Sequence, residues 1–246
     1  MNSERYVRQT MFSALGQDAQ NTLEDSSVLV IGAGGVGTTL LCDLASMGIG
    51  TIGLADHEII KLSNLNRQFL YTEAEVGSLK VQAAAKKLRA YNSDINIIPH
   101  ETAINKDNAY EIISQYDMVA LAVDNAQCYM LVNEACVELG KPFVYGATNG
   151  KIGSCCVIEP GKTPCLACLF GTELPPEEHF ASLAPVVSTI GSIAAACIGQ
   201  KLLDKEVPLS GKLLVFDAQY MTFDITDLTQ KEDCPICGSG RLDDDE

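Results

Sequence analysis

Residues 26–60 read SSVLVIGAGGVGTTLLCDLASMGIGTIGLADHEII. VLVI is a short apolar run of the kind a strand buried on both faces requires. Gly32, Gly34, Gly35 and Gly37 then form a turn that opens a helix, and a second strand ends at Asp56. Strand, glycine-rich turn, helix and strand make a βαβ unit. The turn's amides and the positive end of the helix dipole would face an anion, and an acid at the distance of Asp56 suits ribose hydroxyls. Alone, the pattern means a nucleotide or dinucleotide and does not choose between NAD and ATP.

The alternation continues outward. Helix 78–91, strand 95–98, helix 107–115, strand 117–123, helix 126–139 and strand 142–146 are expected, which predicts a mostly parallel sheet covered on both faces. Residues 3–24 read as helical, and KIGSCCVIEP as a further strand. Residues 161–184 show little periodicity, 186–203 form an Ala-rich apolar helix, and KLLVFDAQYMTFDITDL alternates like antiparallel strands. The chain ends in the acidic LDDDE.

The 246 residues, 47% hydrophobic, suffice for one large α/β core. A formal charge of -15 disfavours nucleic acid and anionic membranes, so neither is expected as a partner, and ATP would need locally concentrated cations. No run reaches the roughly 20 apolar residues of a membrane span, and MNSERYVRQT lacks the apolar core of a signal peptide, so a cytoplasmic protein is expected. Among ten cysteines, Cys42, Cys128, Cys136, Cys155, Cys156 and Cys197 lie in apolar runs and read as small buried hydrophobes.

Charged residues beyond Asp56 narrow the ligand. Arg67 follows the carboxyl end of a strand, where open α/β sheets bind ligands. Lys80 falls in the first turn of its helix behind Ser78, read as the cap, where a cation opposes the dipole unless an anion is near. A phosphate would reverse that penalty, while the bland reading is a solvated surface lysine. Asp124 ends the apolar strand VALAV, and a carboxylate beside a triphosphate suggests a Mg²⁺ ligand. Its bland reading is the cap of the helix from Ala126, and both roles can hold together.

Cys165 and Cys168 in TPCLACLF and Cys234 and Cys237 in DCPICGSG are two pairs separated by 65 residues. Four thiolates in two such turns match a closed, structural Zn²⁺ site, with redox-active or disulfide pairs as the alternative.

In this order, RYVRQ, GAGGVG, the D…SNLNRQ block, the Lys of VGSLKV, the DN pair, APVVSTIGSIAA and two CxxC pairs resemble the ThiF/MoeB/HesA family, bacterial relatives of ubiquitin-activating enzymes. The resemblance implies a Rossmann-like, doubly wound sheet with a C-terminal antiparallel extension and a four-cysteine zinc site. Its expected parts are a helical arm (1–25), an ATP-binding domain (26–160), a crossover loop with the first CxxC (161–185) and a C-terminal portion (186–246), together one ThiF-type domain.

The resemblance also implies an ATP site formed by the glycine turn, Asp56, Ser63, Asn64, Arg67, Lys80, Asp124 and Asn125. Arg8 would reach the partner subunit's phosphates in a homodimer. The implied activity is adenylation of the C-terminal Gly-Gly carboxylate of a ubiquitin-like sulfur carrier for thiamine, molybdenum-cofactor or related sulfur transfer. Catalysis would rest on Arg8, Arg67, Lys80 and Asp124.

Many relatives carry a cysteine in the crossover loop; FGTELPPEEHFASLA has none. Adenylation followed by attack from a separate sulfur donor or sulfurtransferase is therefore expected, and His179 in that loop reads as a surface residue. The chain stops nine residues after Cys237, so no sulfurtransferase domain is expected to follow. An NAD-dependent oxidoreductase fits the turn and Asp56 but leaves Arg67, Lys80 and Asp124 unexplained. A non-catalytic zinc-stapled module would predict loss of phosphate-contacting residues, and all are present.

Overall fold

The computed structural model describes residues 4–12, 16–172 and 181–238. The decisive segment folds as β1 (Ser27–Ile31), α3 (Gly35–Met47) and β2 (Thr51–Ala55), preceded by α1 (Val7–Thr10) and α2 (Gly16–Asp25). The chain continues through α4 (Lys80–Tyr91), β3 (Asn96–His100), α5 (Ala109–Ser114), β4 (Met118–Leu121), α6 (Ala126–Glu138) and β5 (Phe143–Asn149). It then forms β6 (Ile152–Ile158), α7 (Leu166–Phe170), α8 (Ala184–Leu202), β7 (Lys212–Asp217) and β8 (Thr222–Asp227).

Among the described residues, eight strands make one sheet in the order β3-β2-β1-β4-β5-β6-β7-β8. The first five are parallel, and β6, β7 and β8 each pair antiparallel with the strand before. Strand order reverses between β1 and β4, which opens a crevice at the carboxyl edge where such sheets take their ligands.

Period-two alternation splits each buried strand between two cores. Val28 and Val30 of β1 pack with α3, α4 and α8, whereas Leu29 and Ile31 pack on the other face with α5, α6 and α7. That is why the inner strands read as unbroken apolar runs.

Two expectations need correction. The helical reading of residues 3–24 holds for α1 and α2 but not for 4–6 and 11–12, which form turns, and Gly16 starts α2 in a left-handed conformation with φ of 59°. The stretch expected to be irregular contains α7, which forms because the Cys165 carbonyl accepts from the Cys168 and Leu169 amides at 3.1 and 3.4 Å. His179 and the rest of residues 173–180 of the crossover loop lie outside the described residues, as does the acidic tail. Among the described residues no helix is long and apolar enough to cross a membrane.

Candidate nucleotide site and cysteine cluster

The glycine turn is held from three sides. Gly32 donates to the Ala55 carbonyl at 2.8 Å, the Ala33 amide donates to Asp56 Oδ2 at 2.8 Å, and the Ala33 carbonyl accepts from the Tyr71 hydroxyl at 3.0 Å. Gly32 sits at φ of 98°, and a Cβ on Gly37 would lie 2.0 Å from the Gly32 carbonyl oxygen, so neither position admits a side chain. Gly34 begins α3 without a side-chain cap, and no acidic residue occupies its first turn. The first amides of α3, with Gly35 at their head, thus present donors and positive potential to the crevice.

Asp56 is anchored at both oxygens, Oδ1 accepting from the Glu58 amide at 2.8 Å. A carboxylate has about four lone-pair sites, so capacity remains for ribose hydroxyls. Beyond it, a 3-10 turn spans Leu62–Asn64, where Asn64 Oδ1 accepts from the Lys61 amide at 2.9 Å. Arg67, half-buried, donates through Nη1 to the Ser63 carbonyl at 3.1 Å and to Asn66 Oδ1 at 2.9 Å. Ser63, Asn64 and Arg67 therefore form one compact unit.

Lys80 is the first residue of α4 and is 2% exposed. The solvated-surface reading is wrong, and so is Ser78 as its cap: the N-cap is Leu79, without a side-chain hydrogen bond. A cation at an uncapped N-terminus costs about 0.3–1 kcal/mol before desolvation is counted, so it needs an anion. In the structure that anion is Glu58, which forms an ion pair with Lys80 Nζ while its carbonyl accepts the Lys80 amide at 3.0 Å.

Asp124 follows β4 and is exposed. It does not cap α6; Asn125 does, its side chain accepting from the Cys128 amide at 3.0 Å. Asp124 is thereby left facing outward at the carboxyl edge.

Arg8 is not brought to this crevice. Tyr6 and Gln9 fix α1 against the far end of α3: Asn92 donates to the Tyr6 hydroxyl at 2.8 Å and Gln9 donates to the Met47 carbonyl at 3.0 Å. The length of α3, roughly 20 Å, separates that end from the glycine turn.

Three contributors escaped the sequence reading: Glu58, Tyr71 and Gln68. Gln68 is 3% exposed and lies close to Gly34, and among the described residues its Oε1 has no hydrogen-bond partner. The signals in the sequence were the proximity of Glu58 to Asp56 and the place of Gln68 at the end of the SNLNRQ block.

The four cysteines do converge. The sulfurs of Cys165, Cys168, Cys234 and Cys237 lie within 4.8 Å of one another, with Cys165–Cys234 at 3.7 Å and Cys168–Cys237 at 3.4 Å. Tetrahedral Zn–S bonds of ~2.3 Å place sulfurs ~3.8 Å apart, so the cage fits zinc. Burial raises the Cys234 thiol, but the amides of Cys237 and Ile236 outweigh it and bring it down to about 7. The Lys231 amide donates to Cys168 Sγ at 3.5 Å. The chain reaches this cluster from Ile158, which pairs with Phe143 at the amino end of β5, opposite the crevice. Of the remaining cysteines, Cys136, Cys155, Cys156 and Cys197 are buried, and Cys42 and Cys128 are half-buried.

Fold and site together define a doubly wound α/β protein with a glycine-turn crevice at its carboxyl edge and a four-cysteine cluster. More narrowly, the chain belongs to the ThiF family, whose model matches residues 6–236. It is similar to the "Adenylyltransferase and sulfurtransferase MOCS3" of Aedes aegypti, 38% identical over 95% of this chain and 55% of that protein. It is also similar to the "Sulfur carrier protein adenylyltransferase" of Thermus thermophilus, 36% identical over 96% of this chain and 90% of that one. Thus the chain spans about half the length of the MOCS3 relatives and nearly all of the shorter one. Escherichia coli MccB shares the fold, with a TM-score of 0.87 over 97% of this chain and 75% of that chain at 23% identity.

Proposed function

We propose that the protein binds ATP in the β1/β4 crevice and adenylates the C-terminal Gly-Gly carboxylate of a small ubiquitin-like sulfur carrier. The observation that carries this reading is the gathering of cations and acids around the glycine turn of a ThiF-family chain. The names of its adenylyltransferase relatives support it, and they favour ATP over the NAD of the oxidoreductase alternative.

The reaction follows from that arrangement. The carrier's carboxylate attacks the α-phosphorus and pyrophosphate leaves, so no general base is needed and catalysis reduces to alignment and charge stabilisation. The α3 amides cradle phosphate, Asp56 holds the ribose, Ser63 and Asn64 shape the wall, and Asn125 orients the crevice edge. Arg67 and Lys80 neutralise charge that develops on the leaving group. Asp124 would hold Mg²⁺, which supplies further neutralisation when bound. Arg8 completes the site across a homodimer, because in its own subunit it lies at the wrong end of α3.

Zinc held by Cys165, Cys168, Cys234 and Cys237 would tie the C-terminal segment to the sheet domain and take no part in the chemistry. Sulfur would come from a separate donor, and all four parts of the chain act as one domain. The test is ATP–pyrophosphate exchange with a carrier of about 70–100 residues ending in Gly-Gly, recovered by pulldown. Exchange that depends on the carrier is expected; carrier-independent exchange, or hydride transfer to NAD in its place, would overturn the reading.

A further inference from the structure

The ion pair beside the glycine turn is unequal. The Lys80 side chain is 3% exposed, whereas that of Glu58 is 48% exposed. Lys80 is fixed at the start of α4 with its side chain surrounded by protein. Glu58 can turn its carboxylate into solvent by side-chain rotation alone. Its backbone would stay in place, because its amide donates to Asp56 and its carbonyl accepts from Lys80.

Glu58 is also close to the ligand position. Asp56 accepts from the Glu58 amide with one oxygen and from the Ala33 amide of the glycine turn with the other. A single carboxylate therefore connects the two segments. From this geometry we infer that Glu58 is a protein-made stand-in for a nucleotide phosphate. It neutralises Lys80 in the free protein and gives Lys80 up when ATP binds.

The inference rests on the reading of the crevice as an ATP site. Its physical basis is that a buried cation must have a partner in both states. Without Glu58 the free protein would carry an unpaired buried ammonium; without the exchange, Lys80 would be unavailable to phosphate. Burial raises the Glu58 carboxyl, and the hydrogen bond and charge of Lys80 more than offset that. Lys61 and His57, both exposed and both already acting on Glu58, would flank the released carboxylate. The arrangement keeps the free site folded at the expense of nucleotide affinity.

The experiment uses the full chain, Mg²⁺ and α,β-methylene ATP, without carrier, by calorimetry and thermal melting. Glu58→Gln is expected to melt lower than wild type when free and to gain more from saturating nucleotide. It should bind about two- to fivefold tighter, the range set by an ion pair with one half-exposed partner. In a Lys80→Met background, which should bind more weakly, Glu58→Gln should give no tightening.

Unchanged or weaker binding by Glu58→Gln would overturn the exchange, since Glu58 would then support Lys80 in the bound state too. Equal tightening in the Lys80→Met background would also overturn it, showing only general relief of negative charge. If Glu58→Gln does not fold, Glu58→Asp, which draws the charge back by one methylene, should show the same directions at smaller size. Failure of wild type to bind the nucleotide would sink the ATP reading itself; equal affinities in wild type and variant would sink the exchange alone.

Discussion

The crevice and the cysteine cluster solve opposite problems with similar means. In the crevice every cation has a substitute partner made by the protein: Lys80 has Glu58, and Arg67 has the Ser63 carbonyl and Asn66. Asp124 faces outward, and the glycine turn keeps uncapped amides. In the cluster four sulfurs close on one another, three of them buried and Cys237 half-buried, and four thiolates leave no ligand position on a tetrahedral metal for water or substrate. A site that admits and releases a ligand needs partners it can give up. A site that holds one ion throughout needs none, and its ligand's binding free energy becomes folding free energy.

The largest effect should come from breaking the closed side. Cys234→Ser leaves three thiolates and a poor fourth ligand. Metal analysis of protein prepared without chelator should give about one zinc per chain for wild type and far less for the variant. The melting temperature should fall by about 10 °C or more. At temperatures where the variant is still folded, carrier-dependent pyrophosphate exchange should persist. Exchange abolished in a folded variant would show that the cluster serves the crevice directly.

The same contrast decides what could be read from the sequence. The βαβ unit, Asp56 and both CxxC pairs depend on spacings within a few residues, and the structure keeps them where they were expected. Cys165 and Cys234 meet from opposite ends of the C-terminal region, but each turn announces itself locally. Lys80 was different. Its burial depends on α4 docking against a loop 22 residues earlier in the chain, so its position in the first turn was legible while Glu58 as its partner was not. Gln68 ends the SNLNRQ block, but neither it nor Tyr71 has a spacing that shows a residue folding back under a glycine turn. The break between α1 and α2 was legible in principle at Gly16, but the apolar and polar residues on either side continue a helical pattern across it.

A smaller effect on the whole molecule, confined to catalysis, should come from Arg8. Arg8→Ala should reduce exchange about 100- to 1000-fold, as loss of a charge-stabilising donor does, with folding unchanged because Arg8 is exposed. Mixing Arg8→Ala with Asp124→Ala subunits should restore activity, since one site in each mixed dimer would retain both residues. Mixed dimers verified by mass spectrometry but as inactive as either parent would remove Arg8 from the partner's site.

The smallest effect should come from Tyr71, and it tests whether the crevice is as pre-built as the cluster. The Tyr71 hydroxyl, 5% exposed, is the donor that holds the Ala33 carbonyl while Asp56 holds the Ala33 amide. Burial raises its hydroxyl well above the ordinary tyrosine value, so it remains a donor at any pH the protein survives. Tyr71→Phe keeps the ring and its packing but leaves the carbonyl unpaired, which costs about 1–3 kcal/mol in a buried setting. If the turn is rigid only because both groups are held, the variant should unfold at lower urea by that amount and its KM for ATP should rise more than its kcat falls. If the turn is rigid through Gly32 and Gly37 alone, stability should fall by the same amount while KM stays at the wild-type value. That second result would make the crevice as fixed as the cysteine cage and confine the difference between them to their exchangeable charges.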